Sequence, residues 1–155
     1  MTTNVIFICH GNICRSTMAQ CVMQHYVNER GLADQFVIDS AAATRDALGF
    51  PIFPPARAKL EAEGIPYLWH TARLLRPTEV RYWDYIVCMD EENVRHLKQI
   101  VGDENMDKVA KLLSFAGDKS DVADPWFTDD FDTTYDDLTR GCKALLDHIL
   151  ESNPA

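Results

Sequence analysis

The chain has 155 residues, a length that fits a single domain with a core large enough to fold without disulfides. Its formal net charge of −9 argues against a nucleic-acid-binding protein, because such binding relies on Lys and Arg side chains that neutralise phosphates. No apolar run approaches the roughly 18 residues needed to span a bilayer, and residues 1–4 lack the basic region of a secretion signal. We therefore expect a cytoplasmic protein with no membrane-inserted segment.

The cysteines and histidines lack the spacing of a structural metal or disulfide site. The chain has five cysteines, an odd count, and no C-x-x-C pair, which disfavours a disulfide framework and a zinc site. The five histidines form no H-x-x-x-H or H-x-x-E-H pattern. Thiol chemistry is the remaining functional interpretation, and it depends on where each thiol lies along the predicted elements.

The first half of the chain alternates between strand-like and helix-like segments. Residues 4–9 are a continuous apolar run typical of a buried strand, and residues 16–30 have apolar residues at helical spacing. Residues 35–40 predict a second strand. Residues 54–63 predict a short helix that ends before a glycine.

The second half continues this alternation. A turn of helix over residues 78–83 leads into a third strand over residues 84–89, and residues 91–101 predict a helix. Residues 109–115 predict a fourth strand, and residues 134–151 predict a long final helix with an apolar stripe. Strands that alternate with helices indicate an α/β fold with a parallel sheet covered on both faces.

The loop after the first strand has the composition of a phosphate-binding loop. Ligands of parallel sheets bind beyond the carboxyl ends of the strands, and the first strand ends there with Cys9. A tight loop that opens a helix offers converging backbone N–H groups and the positive end of the helix dipole. Gly11 allows a positive φ and a close approach, and Asn12 tolerates left-handed geometry. Arg15 can bind two phosphate oxygens at once, which Lys cannot.

Cys9 is the predicted nucleophile of this loop. The helix N-terminus and the nearby Arg15 favour its thiolate form, and the thiolate is the reactive form of cysteine. Ser16 can donate a hydrogen bond to the sulfur and so assist it as nucleophile and as leaving group. The C-x5-R spacing alone is weak evidence, and the alternative is a buried thiol at a strand end with Arg15 on the helix surface. The apolar strand before the loop, Gly and Asn within it and the helix after it favour the catalytic interpretation.

Residues 9–16, C-H-G-N-I-C-R-S, resemble the phosphate loop of the low-molecular-weight protein tyrosine phosphatases, whose pattern is C-x-G-N-x-C-R-S. The resemblance extends through most of the chain, and includes the segments at residues 39–41, 70–73, 84–90 and 124–125. It implies one domain over residues 1–155, with four parallel strands in a twisted sheet and helices on both faces.

The same resemblance implies chemistry through a phosphocysteine intermediate, without a metal or other cofactor. The expected substrates are tyrosine-phosphorylated proteins or peptides, and the expected state is a monomer or weak homo-oligomer. The residues implied to bind the phosphate are those of the loop: His10, Gly11, Asn12, Ile13, Cys14 and Arg15.

The resemblance also implies a general acid and an aromatic pocket. A leaving phenolate benefits from protonation, and the family places its acid in an Asp-Pro pair, here Asp124 and Pro125. Trp126 and Phe127 match positions of aromatic residues that wall the pocket, together with Ile13 of the loop. Phe50 and Phe53 are candidates for the opposite wall, in a segment (residues 42–55) that departs from the family's usual pattern.

Three further residues, Asn12, Ser40 and His70, match family positions that hydrogen-bond one another beneath the loop, and they are expected to hold it rigid. Asp90 also falls at a matching position, and we expect its role to be structural. Cys14 is expected to be an exposed thiol near Cys9, and the resemblance supports a reversible disulfide between the two under peroxide. The alternative role for Cys14 is a small loop filler.

Three rival functions remain open from the sequence. Thioredoxin-coupled arsenate reductases share the fold and loop but need two further cysteines close together, and Cys88 has no such neighbour. Protein-arginine phosphatases have a threonine where this chain has Ile13, and the larger apolar side chain favours a flat aromatic substrate. A non-catalytic phosphotyrosine-binding module is the third, disfavoured because Cys9, Arg15 and Asp124 are all present.

Overall fold

The computed structural model describes residues 2–152 and contains one sheet of four parallel strands. The strands follow the spatial order β2-β1-β3-β4. Their bounds are Thr3–Cys9 for β1, Phe36–Ala42 for β2, Tyr85–Cys88 for β3 and Val109–Lys111 for β4. The order in which successive strands are added therefore reverses between β1 and β3, and doubly wound α/β proteins bind ligands at this point of reversal. The predicted α/β class and parallel sheet are confirmed.

Five α-helices connect and cover the strands in the described part of the chain. They are α1 (Arg15–Glu29), α2 (Pro54–Ala62), α3 (Glu91–Val101), α4 (Pro125–Thr128) and α5 (Phe131–Ser152). None of these helices has the length and apolar composition required to cross a membrane.

The two faces of the sheet bury two separate apolar clusters. Alternate side chains of β1 enter opposite clusters, as the two-residue period of a strand requires: Val5 and Phe7 on one face, Ile6 and Ile8 on the other. The first cluster includes residues of α1, α2 and α5, and the second includes residues of α3. Because both faces are covered, residues Val5–Cys9 of β1 are all buried, and the strand ends with Cys9 just before the loop that leads into α1.

The fourth strand is shorter than the sequence predicted. It ends at Lys111, which pairs with the last residue of β3, so the chain beyond it has no neighbouring strand to bond. Residues Leu112–Ala116 form a 3₁₀ helix instead, and the consecutive side chains of Leu112 and Leu113 are both buried. Consecutive side chains of a strand point to opposite faces of the sheet, so a strand could not direct both leucines to one face.

The final helix begins earlier than predicted, at Phe131 rather than residue 134. Asp130 stands just before it and accepts a hydrogen bond from the backbone N–H of Thr133 (3.0 Å), which stabilises an earlier start. The short helix α4 was not predicted, because a single turn has no periodicity to detect.

Candidate active site

The phosphate loop, residues 9–16, runs from the end of β1 into the first turn of α1. The helix has no side-chain cap at its N-terminus, so its first N–H groups remain available to an anion. The left-handed residue of the loop is Asn12, with φ of 62°. Gly11, which allows a positive φ, does not have one, and a Cβ atom there would lie at an ordinary van der Waals distance of 3.4 Å from the Cβ of Ala47.

The sulfur of Cys9 lies at the bottom of the loop and contacts Ser16 twice. Its Sγ is 3.1 Å from the Ser16 hydroxyl and accepts a longer bond, 3.4 Å, from the Ser16 backbone N–H. The Asn12 amide donates to the Ser16 Oγ at 2.7 Å, so the Ser16 hydroxyl hydrogen is free to point at the sulfur. Two hydrogen-bond donors of Ser16 therefore converge on the Cys9 sulfur.

Asn12 is fully buried and connects the loop to two other segments directly and to Gln20 of α1 through Ser40. Its Nδ2 also donates to the Ser40 hydroxyl (3.0 Å), and its Oδ1 accepts from the Nε2–H of His70 (2.7 Å). The Ser40 hydroxyl in turn donates to Gln20 on α1 at 2.6 Å. The structure thus brings together the three residues expected beneath the loop. No pattern in the sequence pointed to Gln20.

Burial lowers the pKa of His70 below its usual value. A neutral imidazole carries one ring proton, and the bond to the Asn12 oxygen requires that proton on Nε2. The tautomer of His70 is therefore set by the loop that it supports.

Arg15 is almost completely buried, with 2% of its surface exposed. Its Nη1 donates to Asp90 (2.6 Å) and to the backbone carbonyl of Val122 (2.9 Å), and its Nη2 lies 3.4 Å from Asp124. Burial lowers the pKa of Arg15, but the negative charges of Cys9, Asp124 and Asp90 outweigh it and raise the pKa above the usual value. The guanidinium is thus a permanent cation beside the sulfur.

Asp90 is the functional residue that the sequence reasoning underestimated. It was expected to be structural, and its Oδ1 does cap α3 by accepting from the Asn93 N–H (2.7 Å). Its other oxygen holds Arg15 in place. The available signal was its position: an acidic residue two positions after the end of β3, at the same sheet edge where β1 delivers Cys9.

Asp124 stands immediately before α4 and faces the same cleft. Its Oδ1 accepts a hydrogen bond from the Trp126 backbone N–H at 3.0 Å, which leaves Oδ2 directed to the Arg15 side. Pro125 occupies the first position of α4 and holds Asp124 in an extended conformation.

A cleft of about 590 Å³ opens above the sulfur. Cys9, Arg15 and Asp124 all line it. Its apolar walls include Ile13 and the aromatic residues Phe50, Phe53, Trp126 and Phe127. The rings of Phe53 and Trp126 pack 4.9 Å apart, whereas Phe127 is 83% exposed. The segment that the sequence left unassigned therefore contributes Phe50 and Phe53 to the cleft lining, and Phe53 packs against Trp126 of α4.

Cys14 is buried, with 4% of its surface exposed, where an exposed thiol was expected. Burial, together with the negative charges at Cys9 and Asp124, raises the pKa of Cys14 well above its usual value. It is therefore a neutral thiol in this conformation, and the predicted disulfide with Cys9 stays a prediction.

His10, expected to bind phosphate as part of the loop, also makes contacts with its side chain. Its Nε2 lies 2.5 Å from Asp46 and its Nδ1 lies 3.1 Å from Glu92. Burial lowers the pKa of His10, but the hydrogen bonds to these two carboxylates outweigh it and raise the pKa above its usual value. His10 thus joins the phosphate loop to the 43–53 segment and to α3.

Comparison with known proteins identifies close relatives across nearly the whole chain. The family model "Low molecular weight phosphotyrosine protein phosphatase" matches residues 4–154. The low molecular weight protein-tyrosine-phosphatase PtpA of Staphylococcus epidermidis is 35% identical over 150 residues, covering 96% of this chain and 94% of the relative. The crystal structure of YfkJ from Bacillus subtilis matches with a TM-score of 0.94 and 31% identity, covering 99% of this chain and 98% of that one. The crystal structure of DARP, a Drosophila arginine phosphatase, matches with a TM-score of 0.84 and 27% identity, covering 94% of this chain and 96% of that one.

Proposed function

The chain belongs to the low molecular weight phosphotyrosine protein phosphatase family, and we propose that it hydrolyses phosphotyrosine through a phosphocysteine intermediate on Cys9. The observation that carries this proposal is the convergence of three groups on one cleft: the Cys9 sulfur, the Arg15 guanidinium and the Asp124 carboxyl. We also propose that residues 1–155 form one domain, whose substrates are tyrosine-phosphorylated proteins or peptides.

Substrate binding would depend on donors that are fixed before the phosphate arrives. The loop N–H groups and the free edge of Arg15 would surround the three non-bridging oxygens. Asp90 and the Val122 carbonyl restrain the guanidinium at Nη1, so little side-chain entropy is lost on binding. Preorganised donors of this kind stabilise the charge of the transition state at no reorganisation cost.

In the first step the Cys9 thiolate attacks phosphorus. An S–P bond forms while the P–O bond to the tyrosine ring breaks, and the phenolate oxygen takes its proton from Asp124. The Ser16 donors, already within 3.4 Å of the sulfur, favour the thiolate before attack. The products of this step are the free tyrosine side chain and a phosphocysteine.

In the second step a water molecule attacks the phosphocysteine. The Asp124 carboxylate accepts the proton of that water, the P–S bond breaks, and the electron pair returns to sulfur as a thiolate. Inorganic phosphate then leaves the loop. The same carboxyl thus acts as acid and then as base, as microscopic reversibility requires.

The walls of the cleft favour an aromatic phosphate ester. Ile13, Phe53 and Trp126 offer apolar contact to a ring that separates the phosphate from the peptide backbone. A phosphoserine side chain is too short to bring its phosphate to the loop base while its backbone stays outside the aromatic wall.

The second candidate substrate is phosphoarginine, because an arginine phosphatase is among the similar structures. The positively charged guanidinium of such a substrate would have to lie against the apolar side chain of Ile13. That contact offers no hydrogen bond, which favours the phenyl ring of phosphotyrosine.

The substrate proposal is tested by assaying phosphotyrosine, phosphoarginine and phosphoserine peptides of the same sequence. The expected kcat/KM is highest for phosphotyrosine, and Ile13→Thr should reduce that preference over phosphoarginine. Faster hydrolysis of phosphoarginine by the unmodified protein would contradict the proposal.

The acid is tested with Asp124→Asn, for which we expect a loss of about 10²–10⁴-fold in kcat. Protonation matters most for poor leaving groups, so the loss should grow as the leaving-group pKa rises across a series of aryl phosphates. Asp129→Asn is the matched control, an exposed carboxylate in the same segment, and should retain activity. A loss that is uniform across the series would exclude Asp124 as the acid.

A further inference from the structure

We propose that His10, Glu92 and His96 form a binding site for Zn²⁺ beside the phosphate loop. One ligand atom from each residue can be chosen so that all three lie within 4.8 Å of one another. His10 belongs to the loop after β1, while Glu92 and His96 are four residues apart on α3 and so share one helix face. The folded chain therefore brings three potential ligands together from two distant segments.

The distances suit a tetrahedral ion after small side-chain rotations. Zinc bonds of about 2.0–2.2 Å place neighbouring ligand atoms roughly 3.3–3.6 Å apart. The Nδ1 of His10 is already 3.1 Å from the Glu92 carboxylate. The Glu92 side chain is half exposed and free to adjust. Two imidazoles and one carboxylate are a common zinc donor set, and they leave the fourth position to water.

Asp46 gives His10 the outer partner that metal-binding histidines usually have. With Nδ1 facing Glu92, the opposite ring nitrogen, Nε2, lies 2.5 Å from the Asp46 carboxylate. A carboxylate that accepts from the second nitrogen fixes the tautomer and the ring orientation, and it makes the ligating nitrogen more basic. This arrangement exists before any ion is bound.

His96 provides an independent observation. Its Nδ1 is buried and has no hydrogen-bond partner within residues 2–152. A buried polar atom without a partner costs free energy, so such atoms are rare and frequently mark a bound water or ion. The His96 ring lies 6.0 Å from the His10 ring, centroid to centroid, so both can reach one ion between them.

The ion would act on the loop and not on the substrate. His10 follows Cys9 in the chain. An ion held by His10 and by two residues of α3 would therefore join the phosphate loop to that helix. The phosphoryl-transfer steps proposed above use the side chain of none of the three ligands. The inference therefore stands independently of the substrate proposal.

The test is calorimetric titration of Zn²⁺ into the Cys9→Ser variant, a background chosen because the Cys9 thiolate would itself bind zinc. We expect one ion per chain, and a loss of at least about 10–100-fold in affinity when either His96→Gln or Glu92→Gln is added. Glu92 lies at the surface, so its variant keeps the test valid if His96→Gln fails to fold. Asp46→Asn should weaken binding by about tenfold.

His25→Gln is the matched control for these variants. His25 also pairs with a glutamate four residues away, Glu29, at 3.0 Å, but the pair belongs to no three-ligand group among the described residues. The zinc affinity of His25→Gln in the Cys9→Ser background should equal that of Cys9→Ser alone. Zinc should also raise the thermal midpoint of the background and not that of the Glu92→Gln variant. Equal zinc affinity with and without Glu92→Gln and His96→Gln would overturn the site.

Discussion

The base and the rim of the cleft are built in opposite ways. At the base, which is the phosphate loop of residues 9–16, Asn12, Arg15 and Ser16 are buried and hydrogen-bonded to one another or to distant segments. At the rim, which consists of Phe50, Trp126 and Phe127, the side chains are exposed. The base therefore has one geometry suited to one chemical group, whereas the rim can adapt to different peptides. Substitutions at the base should alter kcat, and substitutions at the rim should alter KM.

Among the variants that compare the base with the rim, the largest effect is expected from Arg15→Lys at the base. Lysine retains the charge but cannot bind two phosphate oxygens while also contacting Asp90 and the Val122 carbonyl. We expect kcat to fall by about 10²–10³-fold, the usual loss for a preorganised donor. Arg140→Lys, at a surface ion pair with Asp118, is the control and should leave kcat unchanged. Similar losses in both variants would show that the buried base has no special role.

A smaller effect is expected from Trp126→Ala at the rim. Its ring lines the cleft, and an aromatic pair formed with the substrate ring would contribute about 0.5–1.5 kcal/mol beyond the buried area. We expect KM for phosphotyrosine peptides to rise about 2–10-fold, with little change in kcat. The control is Trp69→Ala, an exposed tryptophan that does not line the cleft. A fall in kcat comparable to that of Arg15→Lys would contradict the division between base and rim.

The smallest effect is expected from the pH dependence of stability conferred by His70. Burial lowers its pKa in the folded protein, so below pH 6.5 the unfolded chain binds more protons at this residue than the folded protein. The stability contributed by neutral His70 is thus complete above pH 6.5 and is lost as the pH falls through the lower, folded-state pKa. His70→Gln keeps a donor for Asn12 and removes this titration.

Thermal unfolding of the unmodified protein and of His70→Gln should therefore be compared from pH 7.5 to 5. The midpoint of the unmodified protein should fall more steeply on acidification than that of the variant. Because His10 titrates with the opposite sign, only the difference between the two proteins carries the prediction. Parallel midpoints across the range would exclude a buried neutral His70.

The base was largely accessible to sequence reasoning, because its residues are contiguous. A strand, a tight loop and a helix start place Cys9, Arg15 and Ser16 within one turn of chain, and local rules act over that distance. The sequence left open which of two residues, Gly11 or Asn12, takes a positive φ, and in the structure it is Asn12. The hydrogen bonds of the Asn12 side chain beneath the loop stabilise that conformation.

Contacts between distant segments were less accessible. The bond from Asp90 to Arg15 depends on the register of β3 beside β1, and Phe50 and Phe53 reach the cleft through an irregular segment with no periodicity. The end of β4 at Lys111 depends on where β3 ends. The grouping of His10 with Glu92 and His96 was missed because only His–His spacings were considered, whereas α3 presents a glutamate and a histidine.

The central claim is that the base directs an ionised sulfur at phosphorus, and rapid acid quenching during turnover of a phosphotyrosine peptide tests it most directly. Proteolysis and mass spectrometry should find a phosphate adduct on the peptide that contains Cys9, and Cys9→Ser should abolish turnover while still binding phosphate. Turnover that persists in Cys9→Ser, or an adduct on any other residue, would contradict the account.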